Sequence, residues 1–257
     1  MSDVPAPPGL VSVVLLCCGQ LEHLCLCLPS VLRGSRPPFA VLALDAASLD
    51  GTAEFLAGAQ AADAPLEVVR APADADLPDA LRLVLARVQG DFLVLLNSDT
   101  VVPEGWLVQL TALAAMNPAI GMVGPMTTYG PAAQLVTPVP YRLGRTADEL
   151  SPEQSGAAFW NKRIEAVNRF AAEWREQHRG QWFEAERLGG GCVLLRREAL
   201  EAVGPPPAAP LAFFEAEALS QRVRQAGFHL ACCRDLFVHS SGSRGFAPAS
   251  LPSEGSR

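Results

Sequence analysis

Three aspartates in this sequence stand where an acidic side chain could do chemistry instead of only facing water: Asp45, Asp50 and Asp99. Asp45 closes the apolar run Phe39–Leu44, and Asp50 opens the helical stretch that follows it. Asp99 is the sharpest of the three. It belongs to Asn97-Ser98-Asp99, directly after Phe92-Leu93-Val94-Leu95-Leu96, the most apolar run in the chain. A strand of that composition is buried on both faces, so the carboxylate is expected to pass abruptly from core to cleft. There it could hold Mg²⁺ or Mn²⁺, hard cations that take oxygen ligands and share them with substrate phosphates. A second reading stays open for Asp99, as a loop aspartate capping the helix that begins at Pro103-Glu104. His239 follows Leu236-Phe237-Val238. It is either a neutral imidazole facing the same cleft or a structural hydrogen-bonder at a strand end.

These side chains matter only if strands and helices bring them to one place. Continuous apolar runs predict strands at 11–16, 39–44, 66–69, 92–96 and 120–123. Helical spacing predicts helices at 21–32, at 51–61 with Asp50 as N-cap, at 78–88 and at 104–116. Such alternation implies right-handed crossovers and a mostly parallel sheet flanked by helices. In that α/β class, ligands bind beyond the carboxyl ends of the strands. After Gly124 the rhythm breaks. Residues 125–140 read as loop and 151–179 as a charged, Trp-bearing helical insertion. Regular elements return with strands at 192–195, 229–232 and 236–238 and helices at 197–203 and 215–226.

Composition narrows the partners. Of 257 residues 49% are hydrophobic and 18% charged, enough for a packed core, with loose ends expected at 1–10 and 247–257. A formal net charge of −7 without any Lys/Arg run argues against nucleic acid, which demands a basic face. The apolar run at Val11–Cys18 is short of the roughly 20 residues a membrane span takes, so no transmembrane segment is expected and the protein reads as cytoplasmic. Seven cysteines without Cys-x-x-Cys spacing, mostly inside apolar runs, read as small hydrophobes in a reducing compartment. Gly189-Gly190-Gly191 lacks the dinucleotide spacing and precedes a strand instead of a helix. Trp160, Trp174 and Trp182 either line an acceptor surface or pack the insertion.

A series of short motifs then falls in a familiar order. It begins with Val11-Ser12-Val13-Val14, continues with Leu44-Asp45-Ala46-Ala47-Ser48-Leu49-Asp50-Gly51-Thr52, and reaches Asn97-Ser98-Asp99-Thr100 before Pro103-Glu104-Gly105-Trp106-Leu107. Gly121-Met122-Val123-Gly124-Pro125, Leu194-Leu195-Arg196-Arg197-Glu198, Arg224-Gln225-Ala226-Gly227 and Phe237-Val238-His239 follow. From Val11 to Phe246 the sequence resembles the bacterial family-2 glycosyltransferases of the GT-A fold, a Rossmann-like architecture. The resemblance implies one domain over 11–246, with a nucleotide-binding half to 124 and an acceptor half beyond it. It implies a nucleotide-diphosphate sugar as donor and a saccharide, lipid-linked or protein acceptor. Asp45 would lie near the nucleotide base with Asp50, Asn97 and Ser98 beside the donor. Asp99 would sit on a divalent metal, Mn²⁺ or Mg²⁺, and His239 would be a further metal or phosphate contact.

The sequence departs from the pattern at the base. In Phe213-Phe214-Glu215-Ala216-Glu217, Ala216 occupies the place where the resembled family carries an aspartate. Glu215 and Glu217 are left as candidate bases, each turned about 100° away on a helix. Arg82 stands where an asparagine is frequent and either contacts phosphate as a forked donor or lies on a solvated helix face. The resemblance thus implies a metal-dependent, inverting transferase of hexosyl or related type. The alternative is a catalytically impaired protein that binds a sugar nucleotide or glycan.

Overall fold

The apolar runs do become the middle of a sheet. The computed structural model describes residues 9–17, 19–36, 38–62, 64–72, 77–143, 157–189, 191–204 and 216–242, with backbone alone at 77, 78, 216 and 217. The strands are β1 (Val11–Cys17), β2 (Phe39–Asp45), β3 (Leu66–Arg70), β4 (Phe92–Asn97), β5 (Thr100–Val101), β6 (Ile120–Thr127), β7 (Trp182–Ala185), β8 (Cys192–Arg196) and β9 (His229–Ser240). The helices are α1 (Leu21–Gly34), α2 (Thr52–Ala61), α3 (Leu77–Leu85), α4 (Trp106–Met116), α5 (Ala157–His178), α6 (Arg197–Val203) and α7 (Ala216–Gln225).

Neighbouring strands run in the order β3-β2-β1-β4-β8-β6-β9. The first four are parallel, as strand–helix alternation requires, and β6 is parallel to β9. Between them β8 runs antiparallel to both β4 and β6. It follows α5 and β7 and is not the return of a strand–helix crossover, so the right-handed rule does not fix its direction. Two short strands escaped the sequence reading because they carry too few residues to show a period. β5 pairs with the end of β9, and β7 pairs with its first half, both antiparallel. The expected strands at 229–232 and 236–238 are one strand of 12 residues. β6 continues to Thr127, through Pro125, into what read as loop.

Every residue of β1 is buried, and alternate side chains feed two separate cores. Val14 and Leu16 join Leu42, Leu44, Leu93 and Leu95 under α3, α5 and α7. Val13, Leu15 and Cys17 join Val41, Ala43, Val94 and Leu96 under α1, α2 and α4. This period-2 partition explains why the strands show no polar face in sequence. The fully buried Trp106 places its indole N–H on Ser35 Oγ at 3.0 Å, which ties α4 to the end of α1. The insertion begins at Ala157 in the described residues. It packs along β9, where Phe170 meets Phe237 edge-on at 4.7 Å and Trp174 gives its N–H to the carbonyl of Arg234 at 2.7 Å. Trp174 is thereby a packing residue. Of the expected loose ends, 247–257 and residues 1–8 lie outside the described residues; residues 9 and 10 are described, and Leu10 is buried.

Candidate functional site

The carboxyl ends of β1, β2 and β4 and the end of β9 converge through loop-to-loop hydrogen bonds. Gly19 N–H donates to Ser48 Oγ at 2.9 Å, and Leu21 N–H, at the start of α1, donates to Asp50 Oδ2 at 2.9 Å. Ser98 N–H donates to the carbonyl of Leu16 at 3.2 Å, and Ser241 N–H to that of Asp99 at 3.1 Å. These bonds gather the turn after β1, the Asp45–Asp50 loop, the Asn97-Ser98-Asp99 loop and the segment beyond His239 at one end of the strands.

Asp45 ends β2, is only 3% exposed, and accepts the amide of Ser48 at 3.1 Å, which closes the loop on itself. Asp50 is exposed and works on backbone. Besides the Leu21 amide it accepts the Thr52 amide at 3.2 Å and hydroxyl at 2.7 Å. It stands one place before the helix N-cap, which is Gly51 and not Asp50 as the sequence suggested. Partial burial alone would raise Asp50, but its hydrogen bonds from the Thr52 hydroxyl and the Leu21 and Thr52 amides outweigh that and hold its carboxyl below the usual range.

Asn97 is half-exposed, but Ser98 and Asp99 are each only 2% exposed. The expectation of a carboxylate standing free in the cleft is therefore corrected. β5 starts at the very next residue and pairs Thr100 with Ser240 and Val101 with His239, which draws the loop under the end of β9. The charge of Asp99 reaches Cys27 of α1, whose buried thiol is raised first by desolvation and next by that carboxylate. Thr100 Oγ1 lies 3.5 Å from Asp99 Oδ1.

His239 is largely buried. Burial, then the nearby His23 of α1, lower it to about 4, so the ring is neutral at physiological pH. Its Nδ1 lies 3.1 Å from the Tyr141 hydroxyl. Arg82 lies on the exposed side of α3, paired with Asp79 at 2.5 Å, the solvated-face alternative. Of the two candidate bases, Glu215 lies outside the described residues, and Glu217 is the second residue of α7, known by backbone alone.

Sequence reasoning missed three contributors. Ser48 clamps the first turn, and Tyr141 seats His239. The third is Gly191, dismissed with its triplet because it makes no dinucleotide fingerprint. Its carbonyl accepts the Asn97 amide at 2.8 Å, its φ is +77°, and a Cβ there would sit 3.0 Å from Asn97 Nδ2 and 3.1 Å from Thr100 Oγ1. The signal was present in the glycines before a strand; its meaning was close approach to another loop.

Among the described residues, no group of three His, Cys, Asp or Glu side chains could hold a metal ion. The donor set fits a divalent cation only where substrate oxygens complete the shell around one carboxylate, as Mg²⁺-type sites commonly do.

A family model described as Glycosyl transferase family 2 matches residues 12–204. The chain belongs to that family. Its fold is the GT-A fold of known glycosyltransferases. It is similar to a mannosyltransferase from Pyrobaculum calidifontis in complex with GDP-Man and Mn²⁺, with a TM-score of 0.62 and 16% identity over 91% of this chain and 57% of that one. It is similar also to GalNAc-T7 with UDP, GalNAc and Mn²⁺, at a TM-score of 0.61 and 16% identity over 93% and 45%. A third is S. aureus TarS 1-349 in complex with UDP-GlcNAc, at 0.62 and 13% over 91% and 60%. This family-2 chain therefore spans about half to three-fifths of the length of those structures. No curated protein matches it significantly. No helix among its described residues is long and apolar enough to cross a membrane.

Proposed function

We propose that this chain transfers a sugar from a nucleoside-diphosphate donor to an acceptor hydroxyl, with inversion at C1. The observation that carries the reading is the meeting of the Asp45–Asp50 loop, Asn97-Ser98-Asp99 and the end of β9 at one end of the strands in a family-2 chain. Asp45, Asp50, Asn97 and Ser98 would bound the donor. The acceptor oxygen attacks C1 as the bond from C1 to the diphosphate oxygen breaks, and the diphosphate leaves with the electron pair. The acceptor's proton must pass to a base on the opposite face of the sugar, for which the sequence offers the carboxylates of Glu215 and Glu217. Neutral His239 can act on the diphosphate side without adding charge. Mn²⁺ or Mg²⁺, held by Asp99 and the diphosphate, would supply positive charge against the leaving group. The Mn²⁺ in two of the similar structures supports this cofactor.

The test is release of nucleoside diphosphate from GDP-Man, UDP-GlcNAc and UDP-GalNAc with Mn²⁺, for the wild type and Asp99→Ala. Slow, metal-dependent release that disappears in the variant is expected. Release that survives in Asp99→Ala would mean the buried carboxylate serves the fold. Two observations favour a second reading, a binding protein without turnover: Ala216 at the place of the base and the 2% exposure of Asp99. Calorimetric binding of a donor without release of diphosphate would establish that reading instead.

A further inference from the structure

Just beyond the residues that read as loop, 125–140, Tyr141 brings its side chain to the site. Tyr141 lies edge-on to Phe170 of α5, with ring centroids 5.9 Å apart, and beside His239 at 5.5 Å. Two residues on, Leu143 is buried and its carbonyl accepts the Nε–H of Arg163, also from α5, at 2.5 Å. The insertion thus clamps 141–143 against β9, and the Tyr141 hydroxyl meets His239 Nδ1 at 3.1 Å.

A phenol has one proton to donate, and a neutral imidazole has one nitrogen that donates and one that accepts. Nδ1 is the hydrogen-bonding partner of this hydroxyl in the described residues. If Nδ1–H donated to the phenol oxygen, the half-buried O–H would have no protein acceptor among the described residues, an arrangement that buried polar groups avoid. With the phenol donating, Nδ1 is the acceptor and the ring proton resides on Nε2.

We propose that Tyr141 is a positioning residue that fixes His239 as the Nε2–H tautomer. His239 is then a hydrogen-bond donor to an oxyanion, and its Nε2 lone pair is withheld from a metal. A metal-bound histidine needs the opposite arrangement, with its second nitrogen donating N–H outward. Of the two roles open to His239, metal ligand or phosphate contact, the geometry selects the second. The oxyanion is a nucleoside diphosphate on the functional reading above, on which this assignment of ligand rests. α5 gains a role as the backing of this pair.

The experiment uses the full chain labelled with ¹⁵N-histidine, with the His239 signals identified by their loss in His239→Ala. In the free protein, long-range proton–nitrogen spectra should show a protonated Nε2 and an unprotonated Nδ1. Tyr141→Phe, checked for an unchanged melting profile, should mix the two tautomers. A protonated Nδ1 in the wild type, or an unchanged pattern in Tyr141→Phe, overturns the inference. In a second arm, UDP and GDP binding is measured by calorimetry with Mn²⁺ present. Tyr141→Phe should weaken the binding nucleotide by about fivefold, the scale of one net hydrogen bond. Mn²⁺ affinity of the nucleotide complex should change by no more than that roughly fivefold scale of one hydrogen bond in His239→Ala; a loss of about tenfold or more would make His239 a ligand and overturn the inference. If neither nucleotide binds but the tautomer pattern is as expected, the functional reading fails while the positioning role of Tyr141 stands.

Discussion

Gly191 offers the most direct test of how the site is held, because a matched control lies elsewhere in the chain. Replacing Gly191 by Ala puts a Cβ 3.0 Å from Asn97 Nδ2, 3.1 Å from Thr100 Oγ1 and 3.2 Å from Asn97 Cβ, at a φ of +77°. Gly180 has nearly the same φ, +71°, but nothing within 4 Å of its added Cβ. The left-handed conformation costs an L-residue roughly 1–2 kcal/mol, and the reduced entropy of the unfolded chain returns about 0.4–1 kcal/mol. Gly180→Ala should therefore lose about 1 kcal/mol net. Gly191→Ala carries the same cost plus overpacking against the Asn97–Thr100 loop, typically about 1–3 kcal/mol. Urea denaturation of both variants isolates that second contribution, which should also lower the melting temperature by roughly 2–4 °C per kcal/mol. Donor affinity, read by calorimetry, should fall in Gly191→Ala and hold in Gly180→Ala. Equal stability and equal donor affinity in the two variants would refute the claim that Gly191 is there to let β8 approach this loop.

Asp50→Ala removes the acceptor for the Leu21 amide and for the Thr52 amide and hydroxyl, and should cost about 1–2 kcal/mol, the range of a lost cap. The folded pKa of Asp50 is depressed, so its stabilisation is present above the unfolded value of about 3.9 and is lost as pH falls through the lower folded value. The gap between wild type and Asp50→Ala in urea should be level near pH 7 and narrow below about pH 4. Ser35→Ala leaves the buried indole N–H of Trp106 unpaired and should cost about 1–3 kcal/mol, measurable by denaturation. Burial pushes the thiols of Cys27, Cys192 and Cys233 far above their ordinary range and that of Cys232 to about 12. Alkylation near pH 8 should spare these four until denaturant is added; rapid modification of the native protein, read by mass spectrometry, would contradict their burial.

What the sequence settled by itself was local and periodic. The runs at Val11, Phe39 and Phe92 are apolar on both faces because two separate cores cover them, so their burial was legible without coordinates. Order along the chain then placed Asp45 and Asn97 at strand ends and Asp50 at the start of the following helix, and the motif series pointed to the family that the match over 12–204 bears out. Tertiary structure decided what depends on contacts between distant segments. β5 and β7 exist only by pairing with β9. Asp99 is covered because β5 begins beside it and pairs with residues 239 and 240. Gly191 matters because it touches a loop over ninety residues earlier, and Tyr141 because α5 presses it onto His239. A side chain's type and period are written in its neighbours along the chain. Whether a carboxylate is open or covered, and which nitrogen of an imidazole carries the proton, is set by atoms that only the folded chain brings within 3 or 4 Å.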